Sequence, residues 1–138
     1  MNRHELQILS NMRLRDARVL LANQQYSGAY YLLGYAVECA FKACIARRTR
    51  RFDFPDRRMA NDSYVHDLER LLRVSGLLEV YEEERETNPQ LEINWTIVKQ
   101  WSEEARYVAD ITEAQAEAFY LAVTARPGGV LTWLKKWW

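Results

Sequence analysis

The sequence predicts an all-α fold, and three observations carry that prediction. Glycine and proline are scarce, five and three of 138 residues, too few for the many turns of a β-sandwich or barrel. Apolar residues recur at helical spacing along most of the chain. Hydrophobic residues make up 49% and charged residues 28%, the balance of a chain that buries a core rather than a disordered one. The length suits one domain with one core, spanning 1–138. No internal repeat, low-complexity tract or linker divides it.

The first helix is expected from His4 to Asn23. On a wheel of about 100° per residue, Leu6, Leu9, Leu14, Ala17, Leu20 and Leu21 gather in one sector, with Arg13 and Asp16 inside or beside it. Ser27-Gly28 opens a second helix that runs to about Arg47. There Ala29, Ala36, Ala40 and Ala43 share a narrow stripe, which lets a neighbouring helix approach closely, as in an antiparallel hairpin. The roughly opposite face carries Tyr31, Tyr35, Glu38 and Lys42, and a glutamate and lysine four apart pair within one helix. Gly34 costs about 1 kcal/mol in mid-helix relative to alanine, so a close neighbour is expected there. A third helix is expected over Tyr64–Val74, capped by Asp62 or Ser63 and ended by Ser75-Gly76. A short acidic fourth spans Leu78–Glu86, and Asn88-Pro89 breaks the chain. Glu92–Trp101 forms the fifth, and Ser102–Tyr107 is a junction. Thr112 with Gln115 has the capping-box form and opens the last long helix, to about Ala125. Pro127-Gly128-Gly129 interrupts it, and Val130–Trp138 resumes as a short apolar helix. As a free tail that segment would expose three tryptophans, so it is expected to pack on the bundle or across a two-fold interface.

Lysine plus arginine and aspartate plus glutamate are both 19, for a formal net charge of +0. Bulk basicity of the kind that coats nucleic acid is absent, though a local basic patch remains open. Cys39 and Cys44 fall on different faces of one helix and do not bridge easily. With only two histidines, His4 and His66, no zinc spacing arises, and no metal or cofactor is expected. Reduced thiols and a cytoplasmic compartment follow. No secretory signal is visible. The most apolar stretch, Ala29–Ala46, contains Glu38 and Lys42, which are costly in lipid, so no membrane association is expected.

The string Ser27-Gly28-Ala29-Tyr30-Tyr31-Leu32-Leu33-Gly34-Tyr35-Ala36-Val37-Glu38-Cys39-Ala40-Phe41-Lys42-Ala43 resembles the second helix of prokaryotic HEPN-domain proteins (higher-eukaryote and prokaryote nucleotide-binding). Leu14–Leu21 looks like that family's first helix. Tyr64–Leu72 and Asn94–Ser102, with Arg106-Tyr107, resemble later blocks, so the likeness covers about Arg13 to Tyr107. The resemblance implies an up-down antiparallel bundle of four to five helices with a short C-terminal helix appended. It also implies a homodimer. Many members are ribonuclease toxins or defence effectors, often encoded beside a small nucleotidyltransferase, which would make a nucleotidyltransferase-type antitoxin a partner. Others bind nucleotides or regulate without demonstrated catalysis. The nuclease members use an arginine–histidine motif near the start of the last bundle helix. Here neither histidine follows an arginine at that spacing: Arg58 precedes His66 by one position too many, and Arg106 is followed by no histidine.

Three constellations are candidates for function. The first joins Asp16, Glu38, Lys42, His66 and Arg106. Read functionally, Arg106 or Lys42 meets a phosphate while Glu38 or His66 handles a proton. Read structurally, Asp16, Glu38 and Lys42 form an internal polar network that fixes helix register. The Glu38 carboxylate is expected to be at least half buried. The second is the cluster Arg47, Arg48, Arg50, Arg51, Arg57 and Arg58, with Phe52 and Phe54 available to stack on bases. It is either an RNA- or phosphate-binding patch or a solvated helix end balanced by Glu79–Glu86. The third, the aromatic set Tyr30, Tyr31, Tyr35, Trp95, Trp101, Trp133, Trp137 and Trp138, reads as core and interface packing. The sequence therefore suggests a nucleotide-, RNA- or partner-binding module of toxin–antitoxin or defence type, with weak or absent ribonuclease activity. The alternatives are a divergent ribonuclease using Glu38, His66 and Arg106, and a structural dimeric adaptor.

Overall fold

The computed structural model describes residues 1–49, Asn61 and 65–138. Among these the chain is all-α, with seven α-helices, one 3-10 turn and no strand. The helices are α1 (Arg3–Ala22), α2 (Tyr26–Arg48), α3 (Leu68–Val74), α4 (Leu78–Thr87), α5 (Pro89–Val98), α6 (Glu113–Thr124) and α7 (Val130–Leu134). The 3-10 turn spans Glu103–Tyr107, between α5 and α6.

The α1–α2 hairpin is the most extensive helix pair. Asn2 caps α1 in a capping box with Glu5. At the far end Gln24 takes a positive φ of 58°, and the Gln25 amide donates to the Leu20 carbonyl at 2.9 Å, which reverses the chain within three residues. The alanine stripe does what its spacing predicts. Ala29, Ala36, Ala40 and Ala43 are fully buried, and the Ser10 hydroxyl donates to the Ala36 carbonyl at 2.7 Å. That bond satisfies a buried hydroxyl against a helix backbone, which only small side chains at the contact permit.

α2 is the axis of the molecule. Twelve of its 23 residues are buried, and it touches α1, α3, the 3-10 turn, α6 and α7. Isolated helices shorter than about 12–15 residues are marginal in water, so α3 and α7 persist through burial. Leu68, Leu71 and Leu72 of α3, and Val130, Leu131, Trp133 and Leu134 of α7, are all buried, each contributing about 1.5–3 kcal/mol. Tyr81, Trp95 and Trp133 form a chain of tilted and edge-to-face rings, joined by Phe41 of α2. Asn94 closes that corner by donating to the Gly128 carbonyl at 2.8 Å. Tyr30 of α2 meets Phe119 of α6 with centroids 4.5 Å apart.

Three helices differ from the sequence expectation by more than one residue. α3 begins at Leu68 rather than Tyr64, because Asp67 is the cap: its carboxylate accepts from the Arg70 amide at 3.1 Å. The alternative caps Asp62 and Ser63 lie outside the described residues. α5 begins at Pro89 and ends at Val98, three positions early at each end. Proline lacks an amide proton that the first helical position does not need, so it starts the helix instead of breaking it. α7 stops at Leu134, after which a turn carries Lys135 to Trp138. The segment from Val130 packs on the rest of the chain, as the tryptophan count requires. No helix of the described residues is long and apolar enough to cross a membrane.

Candidate functional site

Glu38 is 1% exposed in the middle of α2. Its Oε1 accepts from Lys42 Nζ at 3.1 Å, one turn further along the helix. The same oxygen meets Nδ1 of His66, on the segment that leads into α3. The other ring nitrogen of His66, Nε2, lies 3.1 Å from Glu103 Oε2 at the start of the 3-10 turn. A carboxylate thus faces each ring nitrogen. The result is a line of contacts, Lys42, Glu38, His66, Glu103, that ties the segment before α3 and the 3-10 turn to α2.

The wall behind this line is aromatic. Tyr35 packs edge-on to both His66 and Trp101, with centroids 6.2 and 5.2 Å away. Burial is the largest cause that raises the Tyr35 hydroxyl pKa above the ordinary tyrosine range, helped by a hydrogen bond with Tyr31 and the negative charge of Glu38. The phenol therefore stays protonated. Gly34 explains itself here: a Cβ at that position would lie 2.0 Å from the Trp101 ring. The helix carries glycine so that the indole can lie directly on its backbone.

In front of the line is an open cleft of about 520 Å³. Its charged lining is Asp67, Glu69, Glu103 and Glu104 against Lys99 and His66, and Lys99 is already paired with Glu69 at 3.3 Å. The field in the cleft is negative, which opposes a phosphate.

The residues singled out from sequence divide accordingly. Glu38, Lys42 and His66 come together. Asp16 does not join them: it is exposed and pairs with Arg13 at 3.1 Å within α1. The buried face of α1 is Leu6, Ser10, Leu14 and Ala17, and Asp16 falls outside it. Arg106 does not join them either. It is exposed on the 3-10 turn, with its guanidinium 4.8 Å from the Tyr107 ring centroid, and it does not line the cleft. Arg50, Arg51 and Arg58 lie outside the described residues.

Arg47 and Arg48, at the C-terminal end of α2, line a second cavity of about 350 Å³ together with Ser75, Leu77, Lys136 and Trp137. Arg48 is fastened: it donates to the Val74 carbonyl at 3.2 Å and occupies the space beside Gly76, whose φ is +77°. Arg47 has no carboxylate partner among the described residues. Lys136 reaches Glu84 only at 3.9 Å. Cys44, at the floor, is buried and free, as is Cys39. Burial pushes the Cys39 thiol up to about 11 and that of Cys44 to about 12, so neither is a nucleophile near neutral pH.

Among the described residues no group of three or more histidines, cysteines or carboxylates is arranged to hold a metal ion. Three functional candidates escaped the sequence reading: Glu103, Lys136 and Trp137. Glu103 sits in a junction with no periodic signal. Lys136-Trp137 follows the mostly apolar run Val130–Leu134, and the change to Lys135-Lys136 is the available clue. No protein-family model, curated protein or solved structure matches this chain.

Proposed function

We propose that this chain is a HEPN-like binding module that engages the phosphates of RNA or a nucleotide through the basic end of α2. In this reading the helices form an up-down bundle of four to five members with α7 appended, and the module works as a homodimer. A nucleotidyltransferase-type antitoxin would be its partner in a toxin–antitoxin or defence setting. The resemblance of Ser27–Ala43 to the HEPN second helix supports that assignment.

The observation that carries the binding reading is the separation of charge. Arg47, Arg48 and Lys136 border one cavity without a close carboxylate answer, while the cleft in front of His66 is ringed by carboxylates. Phosphate is attracted to the first and repelled from the second. Filter binding of RNA over a salt series tests it. Binding should weaken steeply as salt rises, and Arg47→Ala should lower the log–log salt slope by about 1. Binding that ignores both salt and Arg47→Ala sinks the proposal.

One observation favours the divergent-ribonuclease reading: His66 is 37% exposed at the cleft edge with Nδ1 backed by the buried Glu38, and proton transfer to RNA requires its Nε2 to leave Glu103. That chemistry also needs a cation on the scissile phosphate, and Arg106 is turned onto Tyr107. RNA cut by wild-type protein but not by His66→Ala would establish it.

A further inference from the structure

The cavity at the end of α2 contains an aromatic ring as well as cations. Trp137 is 37% exposed and lines the cavity together with Arg47, Lys136 and Leu77. No ring of the described residues stacks on it, whereas the other rings of that corner, Tyr81, Trp95 and Trp133, are paired and buried.

The ring stands on a rigid base. The Lys136 amide donates to the Trp133 carbonyl at 3.1 Å, and the Trp137 amide donates to the Leu134 carbonyl at 2.9 Å. Trp133 and Leu134 are 4% and 0% exposed. Cys44 Sγ lies 3.8 Å from the Leu134 carbonyl, so the end of α2 and the turn after α7 are joined at the floor of the cavity. Arg48 is fixed from the third side by Val74. An exposed indole on a fixed turn, with Arg47 free of any carboxylate partner among the described residues and Lys136 only loosely paired with Glu84 at 3.9 Å, loses little conformational freedom when a flat ring settles on it.

We propose that Trp137 is a specificity-determining residue that selects an unpaired nucleotide. This rests on the reading that the basic end of α2 binds phosphate. The base stacks on the indole, and its phosphate lies between Arg47 and Lys136. Stacking is open to any base because every base has a π-face, so the cavity reads single-strandedness rather than sequence. A base held in a duplex has both faces covered and does not reach the ring. The volume of about 350 Å³ is at the small end of ligand sites, roughly 300–1,000 Å³, and suits one nucleotide. The shared chemistry is a nucleotide unit, whether it belongs to an RNA strand or is a free monophosphate.

Filter binding on the full chain separates the cases. The probes are a single-stranded oligoribonucleotide, the same sequence as a duplex, AMP as competitor and polyglutamate as a non-nucleotide polyanion. The proteins are wild type, Trp137→Ala, Trp137→Phe and Arg47→Ala, each with its melting temperature recorded. The single strand should bind more tightly than the duplex. Trp137→Ala should weaken single-strand binding roughly 5- to 100-fold and leave duplex binding unchanged, while Trp137→Phe keeps most of the affinity. AMP should compete with the single strand for wild type, and polyglutamate should not. Equal binding of strand and duplex, or full affinity in Trp137→Ala, overturns the role of Trp137. If Arg47→Ala still weakens both RNAs, the basic-end reading survives without it. Failure of AMP to compete overturns the one-nucleotide cavity. Equal competition by polyglutamate overturns base recognition. No RNA binding by wild type overturns both proposals.

Discussion

Around Glu38 the charges are paired through one carboxylate oxygen, while the other, Oε2, is buried with no hydrogen-bond partner among the described residues. Lys42 and His66 meet the same carboxylate oxygen, Glu103 meets the far side of the imidazole, and Glu38 itself is 1% exposed. At the C-terminal end of the same helix the arrangement is reversed. Arg47 is exposed beside an indole and has no carboxylate partner among the described residues. A buried charge must be paired, because the desolvation penalty otherwise exceeds several kcal/mol. An exposed one need not be, and its free energy remains available to a ligand. The difference between the two regions teaches where to look for binding: at the charges the fold has not used, rather than at those it has buried.

The largest expected effect tests the inner half of that comparison. Glu38→Ala removes the acceptor shared by Lys42 and His66 and should destabilise the fold by about 3 kcal/mol. Arg47→Ala should stay within about 0.5 kcal/mol, as for other surface changes. Equal urea midpoints for the two variants would erase the distinction. Gly34→Ala comes next. Its Cβ meets Trp101 at 2.0 Å, and overpacking of this kind costs about 1–3 kcal/mol. A melting temperature equal to wild type would mean that the wall behind His66 yields freely. Glu103→Gln removes the outer carboxylate, which is 40% exposed in its side chain, and should cost about 1 kcal/mol or less. A loss as large as that of Glu38→Ala would show that the line of contacts acts as one unit.

The smallest effect at neutral pH grows in alkali. Burial raises the Cys39 and Cys44 thiols to about 11 and about 12, against about 8.5 in an unfolded chain. The folded state therefore holds these protons more tightly, and stability falls as pH climbs from about 8.5 through the folded values. Cys44→Ala should flatten the melting-temperature profile above pH 9. Burial shifts Tyr30 and Tyr81 in the same direction, so the flattening is partial. An unchanged profile would count against the burial of the thiol.

Much of the fold was legible because local chemistry wrote it. Thr112 and Gln115 set the start of α6 through their own hydrogen bonds, and the alanine stripe of α2 foretold the hairpin. Gly34 foretold a close neighbour, though only the fold names it as Trp101. Glu38 was readable as buried because it stands alone in an apolar run. A helical wheel places Asp16 beside the apolar sector, yet it is exposed, because a wheel shows direction without showing how wide the neighbouring helix is. Pro89 was misread because the same residue breaks a helix interior and opens a helix start. The pairing of His66 with Glu103 had no sequence signal, since it depends on two irregular segments meeting across α2. Trp137 was grouped with the packing aromatics because its composition matches theirs; only its exposure separates it.

That separation has an optical consequence. Trp95, Trp101 and Trp133 are 6%, 2% and 4% exposed, and the Lys135 ammonium lies 5.4 Å from the Trp138 ring centroid. Excitation of the folded chain should give a mostly blue-shifted emission from indoles shielded from water, with a red-edge contribution from Trp137. Acrylamide should quench that red edge first and shift the remaining spectrum to shorter wavelength. The exposed indole thus serves as a built-in dye at the mouth of its own cavity, readable without any label.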